Sequence, residues 1–315
     1  MKLDDIGTLP LIARGGQAEI YDYGNGKVIR VPRRPQDYDR IRYEYKVYLS
    51  LSGSKVVAPK VYELVEVSGA PSIIMERILG MSMMDQIKRQ PHLIRRKAID
   101  LANMHLGLLK VNAEAFMTNS KDQAKYCINK SRSLAEDTKQ MLLDSLEHLP
   151  AGNFLCHGDF HPGNIIHNDG RDYIIDWSGA TKGDVAYDVA HTYILLRVVP
   201  RAPGISLLMH GIQKLLGKAM ASIYLKTIMK SISIDSGQLS RWMLIKAAER
   251  TYYGLPSEMK RLHTFINKYV QTLSVGGTKE DFYKWIFVDN IGGFVFDFAF
   301  SLEDLAKRLL DRDDN

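Results

Sequence analysis

The chain has 315 residues, of which 45% are hydrophobic and 25% charged, with a formal net charge of +6 and a pI near 9.1. This composition excludes a disordered or fibrous chain, and the length suggests about two domains or lobes, each burying its own core. Two cysteines, Cys127 and Cys156, provide neither a disulfide framework nor a metal-ligand pattern, and no apolar run reaches the ~18 residues of a membrane span.

The first residues, "MKLDDIGTLP", carry Asp4 and Asp5 and lack the apolar stretch of a secretory signal. With the cysteine usage, this leads us to expect a cytoplasmic protein. The basic excess comes with no basic tail and no aromatic-basic signature. No nucleic acid, membrane or obligate protein partner is therefore expected, although a polyanionic ligand such as ATP would tolerate the charge.

Along the chain, "LIARGGQAEIYDYG" places Gly15 and Gly16 between two strand patterns, where a glycine turn lets backbone N–H groups approach phosphates. "AEIYDYGNGKVIRV" reads as a hairpin around Asn25-Gly26. The helix "PQDYDRIRYEYKVYLSLSG" is expected to put Ile41, Glu44, Tyr45, Tyr48 and Leu49 on one face and to stop at Gly53. Strands follow at "KVYELVEV" and "PSIIMERI", completing a small α+β lobe over residues 1–78, with "ILGMS" as a hinge. From Met83 the pattern is mostly helical. A helix from Pro91 to about Lys110 has Ile94, Ala98, Leu101, His105 and Leu108 on its inner stripe, and His105 reads as a hydrogen-bonded core histidine. "DQAKYCINKSRSLAEDTKQMLLDSLEHL" gives one or two further helices. Helices resume at Val185 and run to about Leu273. The aromatic-rich residues 275–300 yield no assignment, and "SLEDLAKRLLD" forms a closing helix capped by Ser301.

One stretch, "HGDFHPGNIIHNDGRDYIIDW" from His157 to Trp177, crowds three histidines and four aspartates around two short strands. Asp159 and Asn164 stand five apart in a loop, and Asp176 follows the second strand. A strand-turn-strand brings Asp176 back beside Asn164. A carboxylate and an amide oxygen at one point suit Mg²⁺, which takes few protein oxygens and shares the rest with phosphates and water. Asp159 remains to accept a proton from an attacking hydroxyl.

His-Gly-Asp, four residues, Asn, then Asp-Trp resembles the catalytic segment of the aminoglycoside phosphotransferase-like small-molecule kinases, with His-Gly-Asp standing where protein kinases have His-Arg-Asp. The resemblance implies a bilobal protein-kinase-like α+β fold. Its N-lobe, residues 1–78, would be a small antiparallel sheet that binds nucleotide. Its larger, mostly helical C-lobe, 79–315, would hold the catalytic loop at 155–190 and the substrate helices at about 190–275. It further implies Asp159 as catalytic base, Asn164 and Asp176 as metal ligands, and His157 as a buttress of the loop. Gly15 and Gly16 would cover the phosphates, Val28 would touch adenine, and Arg30 would reach the α/β-phosphates, held by Glu44. Arg30 stands where protein kinases have lysine. Met75 would gate the adenine pocket, and backbone groups of Glu76 to Ile78 would bond the adenine edge. Asp184 and Asp188 resemble the family's structural acids, with Asp188 expected to brace the catalytic loop. The implied cofactors are ATP, with GTP possible, and Mg²⁺.

Only "SGATKG" separates Trp177 from Asp184, which leaves no room for a peptide-docking segment and favours a small hydroxylated acceptor: an antibiotic, a sugar or a metabolite. Residues 185–275 hold four acids against twelve lysines and arginines, so a neutral or anionic acceptor is expected rather than a polycation. A non-catalytic or regulatory nucleotide-binding protein, or an AMP transferase on the same scaffold, are the alternatives.

Overall fold

The computed structural model describes residues 2–3, 6–198 and 206–274. Residues 275–300 and the closing helix expected at Ser301 lie outside these residues. In chain order the elements are β1 (Lys2–Leu3), β2 (Leu11–Arg14), β3 (Ala18–Gly24), β4 (Lys27–Pro32), α1 (Tyr38–Leu51), β5 (Val61–Val67), β6 (Ala70–Glu76) and β7 (Met81–Ser82). They continue with α2 (Met83–Arg89), α3 (Ile94–Leu108), α4 (Ser120–Lys130), α5 (Glu136–Glu147), β8 (Phe154–Cys156), β9 (Ile165–Asn168), β10 (Arg171–Ile174) and β11 (Thr181–Gly183). The last helices are α6 (Val185–Arg197), α7 (Leu207–Ser231), α8 (Ser236–Thr251) and α9 (Pro256–Ser274). None of the described helices is long and apolar enough to cross a membrane.

The described residues divide into two compact units. The first runs to Asp85 and includes the hairpin segment His157–Ala180, so this hairpin groups with the N-terminal sheet by its contacts. The second comprises Gln86–Cys156 and the residues from Thr181 onward.

In the first unit the sheet order is β1-β5-β6-β4-β3-β2, antiparallel except where β1 runs parallel to β5. Asn25 and Gly26 both have positive φ, 51° and 70°, as a two-residue hairpin turn requires. Strand alternation then sorts β4. Ile29 and Val31 pack with Val65, Val67 and Ile74 on one face, whereas Val28 and Arg30 point to the other. Val28 pairs with Met75 and Arg30 with Ile73.

Helix α1 is preceded by a 3-10 turn at Pro35–Asp37, and Gly53 beyond its end has φ 82°. Its buried residues are Ile41, Glu44, Val47, Tyr48 and Leu51. The expected face is corrected at Leu49, which is 48% exposed. The inner face is formed by Ile41, Glu44, Val47, Tyr48 and Leu51, and at roughly 100° per residue Leu49 falls well outside that arc. The hinge "ILGMS" also forms a strand. Met81 and Ser82 pair with His167 and Ile166 of β9.

The second unit is helical apart from the β8–β11 ladder, in which Cys156 faces Thr181. That ladder joins the two chain ends between which 157–180 is inserted. The segment 122–149 forms two helices, and the helix expected from Pro91 begins with a 3-10 turn before α3 and ends at Leu108. His105 is fully buried between α6 and α7, with Nδ1 2.6 Å from the Tyr224 hydroxyl and Nε2 3.1 Å from Asp188 Oδ2. Both cysteines are free and buried. Burial raises both thiols, Cys127 to about 12, which makes them inert packing groups rather than nucleophiles.

Two glycines respond to the same substitution in opposite ways. A Cβ on Gly80 would stand 2.0 Å from the His167 carbonyl oxygen, whereas one on Gly107, on the exposed side of α3, meets nothing within 4 Å. Gly80→Ala is expected to cost about 1–3 kcal/mol by forcing β7 from β9. Gly107→Ala is expected to gain up to about 1 kcal/mol from helix propensity. Urea denaturation midpoints of the two variants and the parent check both signs.

Candidate active site

The site is built on the β9–β10 hairpin. Its turn, Asp169-Gly170, has positive φ at both residues, 47° and 75°, and the register places Ile165 opposite Ile174. The residues flanking the open end therefore meet: the Ile175 N–H donates to the Asn164 carbonyl at 2.9 Å. Asn164 and Asp176 come together in this way. The 3-10 turn Pro162–Asn164 returns Asn164 to Asp159, and Asn164 Nδ2 donates to the Asp159 carbonyl at 2.9 Å and to Asp159 Oδ2 at 3.1 Å.

The first residues of the stretch hold the loop. His157 is buried; its Nε2 lies 3.1 Å from the Ile175 carbonyl, and its Nδ1 accepts the Asp159 N–H at 3.2 Å. Its ring packs on Trp177 with centroids 4.5 Å apart. Gly158 has φ 75°, and a Cβ there would stand 2.0 Å from the Gly179 carbonyl oxygen. Glycine is needed on both counts, which gives the His-Gly-Asp order its local reason. The sequence reading gave no role to His161, whose Nε2 lies 3.6 Å from Asp159 Oδ2 and whose Nδ1 accepts the Gly163 N–H.

Asp176 adopts a left-handed conformation, φ 62°, which costs a non-glycine residue free energy and must be held from outside. Three groups hold it. The Tyr48 hydroxyl accepts the Asp176 N–H at 3.2 Å, the Ser178 hydroxyl donates to Oδ1 at 3.0 Å, and Arg30 Nη2 donates to Oδ1 at 3.3 Å. Tyr43, also on α1, donates to the Ala180 carbonyl at 2.7 Å and ties down the other end of the loop. Tyr43 and Tyr48 escape the sequence reading because their partners are backbone atoms far along the chain, whereas Ser178 bonds its local neighbour Asp176.

Arg30 joins the sheet, α1 and the hairpin. Its Nε donates to Glu44 Oε2 at 2.9 Å while Nη2 reaches Asp176. Burial works against the arginine charge, but Glu44 and Asp176 more than restore it and hold its pKa above the ordinary value. Burial pushes the Glu44 carboxyl up to about 7, with Arg30 pulling it back. Its Oε1 is buried with no hydrogen-bond partner among the described residues, so only one of its oxygens stabilises the charge.

Val28 and Met75 are buried cross-strand neighbours on the Arg30 face. In the segment after them, the Glu76 N–H donates to the Lys60 carbonyl and the Arg77 N–H to the Gly26 carbonyl. Among the described residues, the Ile78 N–H has no protein acceptor. Gly15 and Gly16 form the exposed β2–β3 turn. The Gly15 N–H is taken by the Ala18 carbonyl at 2.9 Å. Asp184 caps α6 by accepting the Ala186 N–H at 2.8 Å, and Asp188 in the first turn faces His105.

Among the described residues no group of three or more His, Cys, Asp or Glu gathers to hold a metal. What gathers is an oxygen pair. With Asn164 Nδ2 turned to Asp159, its Oδ1 is the amide atom left for a cation, and Asp176 supplies a carboxylate. This donor set fits a hard ion that keeps water and phosphate ligands, and does not fit zinc.

A two-part fold of this kind, with a polar hairpin beside a buried Arg–Glu pair, defines a kinase-like α+β class. The model of the phosphotransferase enzyme family matches residues 17–223, and the chain belongs to that family. Solved structures share the fold. One is a thermostable mutant of aminoglycoside phosphotransferase APH(4)-Ia in ternary complex with AMP-PNP and hygromycin B. The likeness is 17% identity over 82% of this chain and 90% of that one, with a TM-score of 0.55. A second is a ternary complex of APH(2")-IIa with streptomycin and ATP, at 18% identity over 82% and 90%, TM-score 0.53. A third is the amicoumacin kinase hAmiN with AMP-PNP, Ca²⁺ and its ligand Ami, at 14% identity over 84% and 88%, TM-score 0.52. No curated protein matches the chain.

Arg30→Met leaves the Glu44 carboxylate buried without its cation and is expected to cost about 3 kcal/mol. The double variant Arg30→Met, Glu44→Leu removes both charges together and is expected to regain most of that loss. Denaturation midpoints of both variants and the parent test this, and a single variant as stable as the parent would show the pair to be energetically idle.

Proposed function

We propose that the chain is an ATP-dependent phosphotransferase that moves the γ-phosphoryl group onto a hydroxyl of a small molecule. The observation that carries this reading is the hairpin's convergence of Asp159, Asn164 and Asp176, with Asn164 bonded to Asp159 through nitrogen and presenting oxygen elsewhere.

Asp159 is the base. Its side chain is 40% exposed, and Asn164 Nδ2 orients its Oδ2, so the carboxylate is fixed yet open to an acceptor hydroxyl whose proton it takes as the oxygen attacks in line. Asn164 and Asp176 would hold Mg²⁺, which would supply positive charge to offset that of the phosphates. Arg30 reaches the α/β-phosphates with guanidinium donors, its orientation set by Glu44 through Nε. Val28 and Met75 supply the apolar wall for the base of the nucleotide, and the Ile78 N–H supplies a donor to its edge. His157 and Tyr48 position the loop without touching substrate. Asp188 acts through the His105 core rather than on the substrate. The acceptor is neutral or anionic, since α6 to α9 are poor in acids.

The test is a mass-spectrometric screen of hydroxylated antibiotics, sugars and metabolites with Mg-ATP. The expected product carries one phosphoryl group. Asp159→Ala is expected to lower kcat/KM by about 10²–10⁴-fold while still binding Mg-ATP. AMP-bearing products would point to nucleotidyl transfer, and tight Mg-ATP binding without turnover to a regulatory nucleotide-binding protein. Asp176→Asn is expected to raise the magnesium concentration needed for half-maximal activity several-fold, and chelation to abolish transfer. Full activity with excess chelator would remove Asn164 and Asp176 from the metal role.

A further inference from the structure

The mechanism above gives His161 no part, and its local role explains only half of its geometry. His161 precedes the 3-10 turn Pro162–Asn164, and its Nδ1 caps that turn by accepting the Gly163 N–H at 3.0 Å. Asp, Asn, Ser and Thr make such a cap with one short side chain. The imidazole carries a second nitrogen, Nε2, and this lies 3.6 Å from Asp159 Oδ2.

A ring nitrogen that accepts an N–H carries no proton. The bond at Nδ1 therefore puts the hydrogen of the imidazole on Nε2, the nitrogen nearer Asp159. The ring offers that carboxylate a donor, and it takes up no proton from it without losing the cap. At 3.6 Å the contact is electrostatic rather than a closed hydrogen bond. Asn164 Nδ2 donates to the same oxygen at 3.1 Å. Two donors thus converge on Oδ2, one on each side of the Pro162-Gly163 step, and together they set the plane of the carboxylate.

The place of the ring is provided for by its neighbours. Gly163 lies within the 3-10 turn without positive φ, so its backbone does not demand glycine. A Cβ there would stand 2.7 Å from His161 Cε1 and 3.0 Å from Nδ1. Glycine at this position leaves room for the imidazole. Phe160, fully buried, anchors the chain between the two polar side chains and packs edge-on against the His157 ring.

We propose that His161 is a positioning residue for the base: its Nε2–H, together with Asn164 Nδ2, holds Asp159 Oδ2 and so presents the carboxylate to an attacking hydroxyl in one direction. This role rests on the phosphotransferase reading. The cap at Nδ1 fixes the tautomer that the contact at Nε2 requires, so one ring performs both tasks.

The experiment uses the full chain with Mg-ATP and an acceptor from the screen above, or water where none is phosphorylated. His161→Asn keeps an oxygen for the Gly163 N–H but places no atom where Nε2 stood. It is expected to lower kcat about ten-fold, with KM for Mg-ATP within about two-fold and the melting midpoint within about 2 °C of the parent. Gly163→Ala pushes the ring aside and is expected to lower kcat likewise. Added to Asp159→Ala, His161→Asn is expected to cause no further loss, because its effect passes through that carboxylate. An unchanged kcat in His161→Asn, or an equal proportional loss in the Asp159→Ala background, overturns the role. So does a melting midpoint that falls while kcat per folded molecule holds, since only the cap then remains. A parent that transfers to neither acceptor nor water overturns the phosphotransferase reading, and the role with it, whereas a parent that turns over beside an equally active His161→Asn overturns the role alone. The imidazole ¹⁵N–¹H spectrum at alkaline pH, assigned by the loss of one ring in His161→Asn, is expected to show the His161 proton on Nε2; a proton on Nδ1 overturns the proposal whatever the turnover.

Discussion

The Arg30 guanidinium is the interaction on which the N-terminal unit depends. It starts on β4, bonds Glu44 on α1 and reaches Asp176 beyond β10, so three pieces of chain far apart in sequence share one buried cation. A surface ion pair would contribute little. Here Glu44 is almost fully buried, and removal of its partner would leave a carboxylate in low dielectric. Arginine suits the task better than lysine because its planar fork serves two carboxylates at once and keeps its charge under burial. The same geometry leaves Glu44 Oε1 without a partner and its carboxyl raised to about 7, so the pair is stabilised on one side only. An imperfectly satisfied charge network is a poor choice for stability alone. It is a sensible one where a further charged group is to be received.

The hairpin divides its polar residues between holding and reacting. His157, Gly158, His161 and Trp177 serve the loop: a ring stacked on a ring, a glycine against a carbonyl, imidazole nitrogens accepting backbone N–H groups. Asp159 Oδ2 is oriented by Asn164 Nδ2, and Asp176 Oδ1 by Arg30 and Ser178. Asp176 is the strained member, held in the left-handed region by Tyr48, Ser178 and Arg30. Strain maintained by three separate bonds implies that the carboxylate's direction matters more than its comfort.

Much of this was legible in the sequence where a local rule has one physical solution. Asn25-Gly26 and Asp169-Gly170 declare two-residue turns because both central φ values must be positive, and the strands around them follow. The alternation of β4 put Val28 and Arg30 on one face and Ile29 on the other. What stayed hidden depends on partners distant along the chain. β7 and β11 have two and three residues, too few for any pattern, and exist because β9 and β8 offer them an edge. On α1, Leu49 reads as core by spacing yet is exposed, because the covered arc lies on the Val47 and Leu51 side of Tyr48. Tyr48 carries no motif: its role is a bond to a backbone N–H 128 residues away.

The same contrast bears on what the helical unit recognises. A count of four acids against twelve bases over residues 185–275 leaves open whether the excess faces a ligand or bulk water, since solvated helix faces carry charge freely. Placement narrows the choice. Lys246 belongs to the core, buried against Glu249 and the Tyr187 hydroxyl, and Arg250 is closed by Glu258. These two look like excess charge in the sequence and are neutralised in the fold.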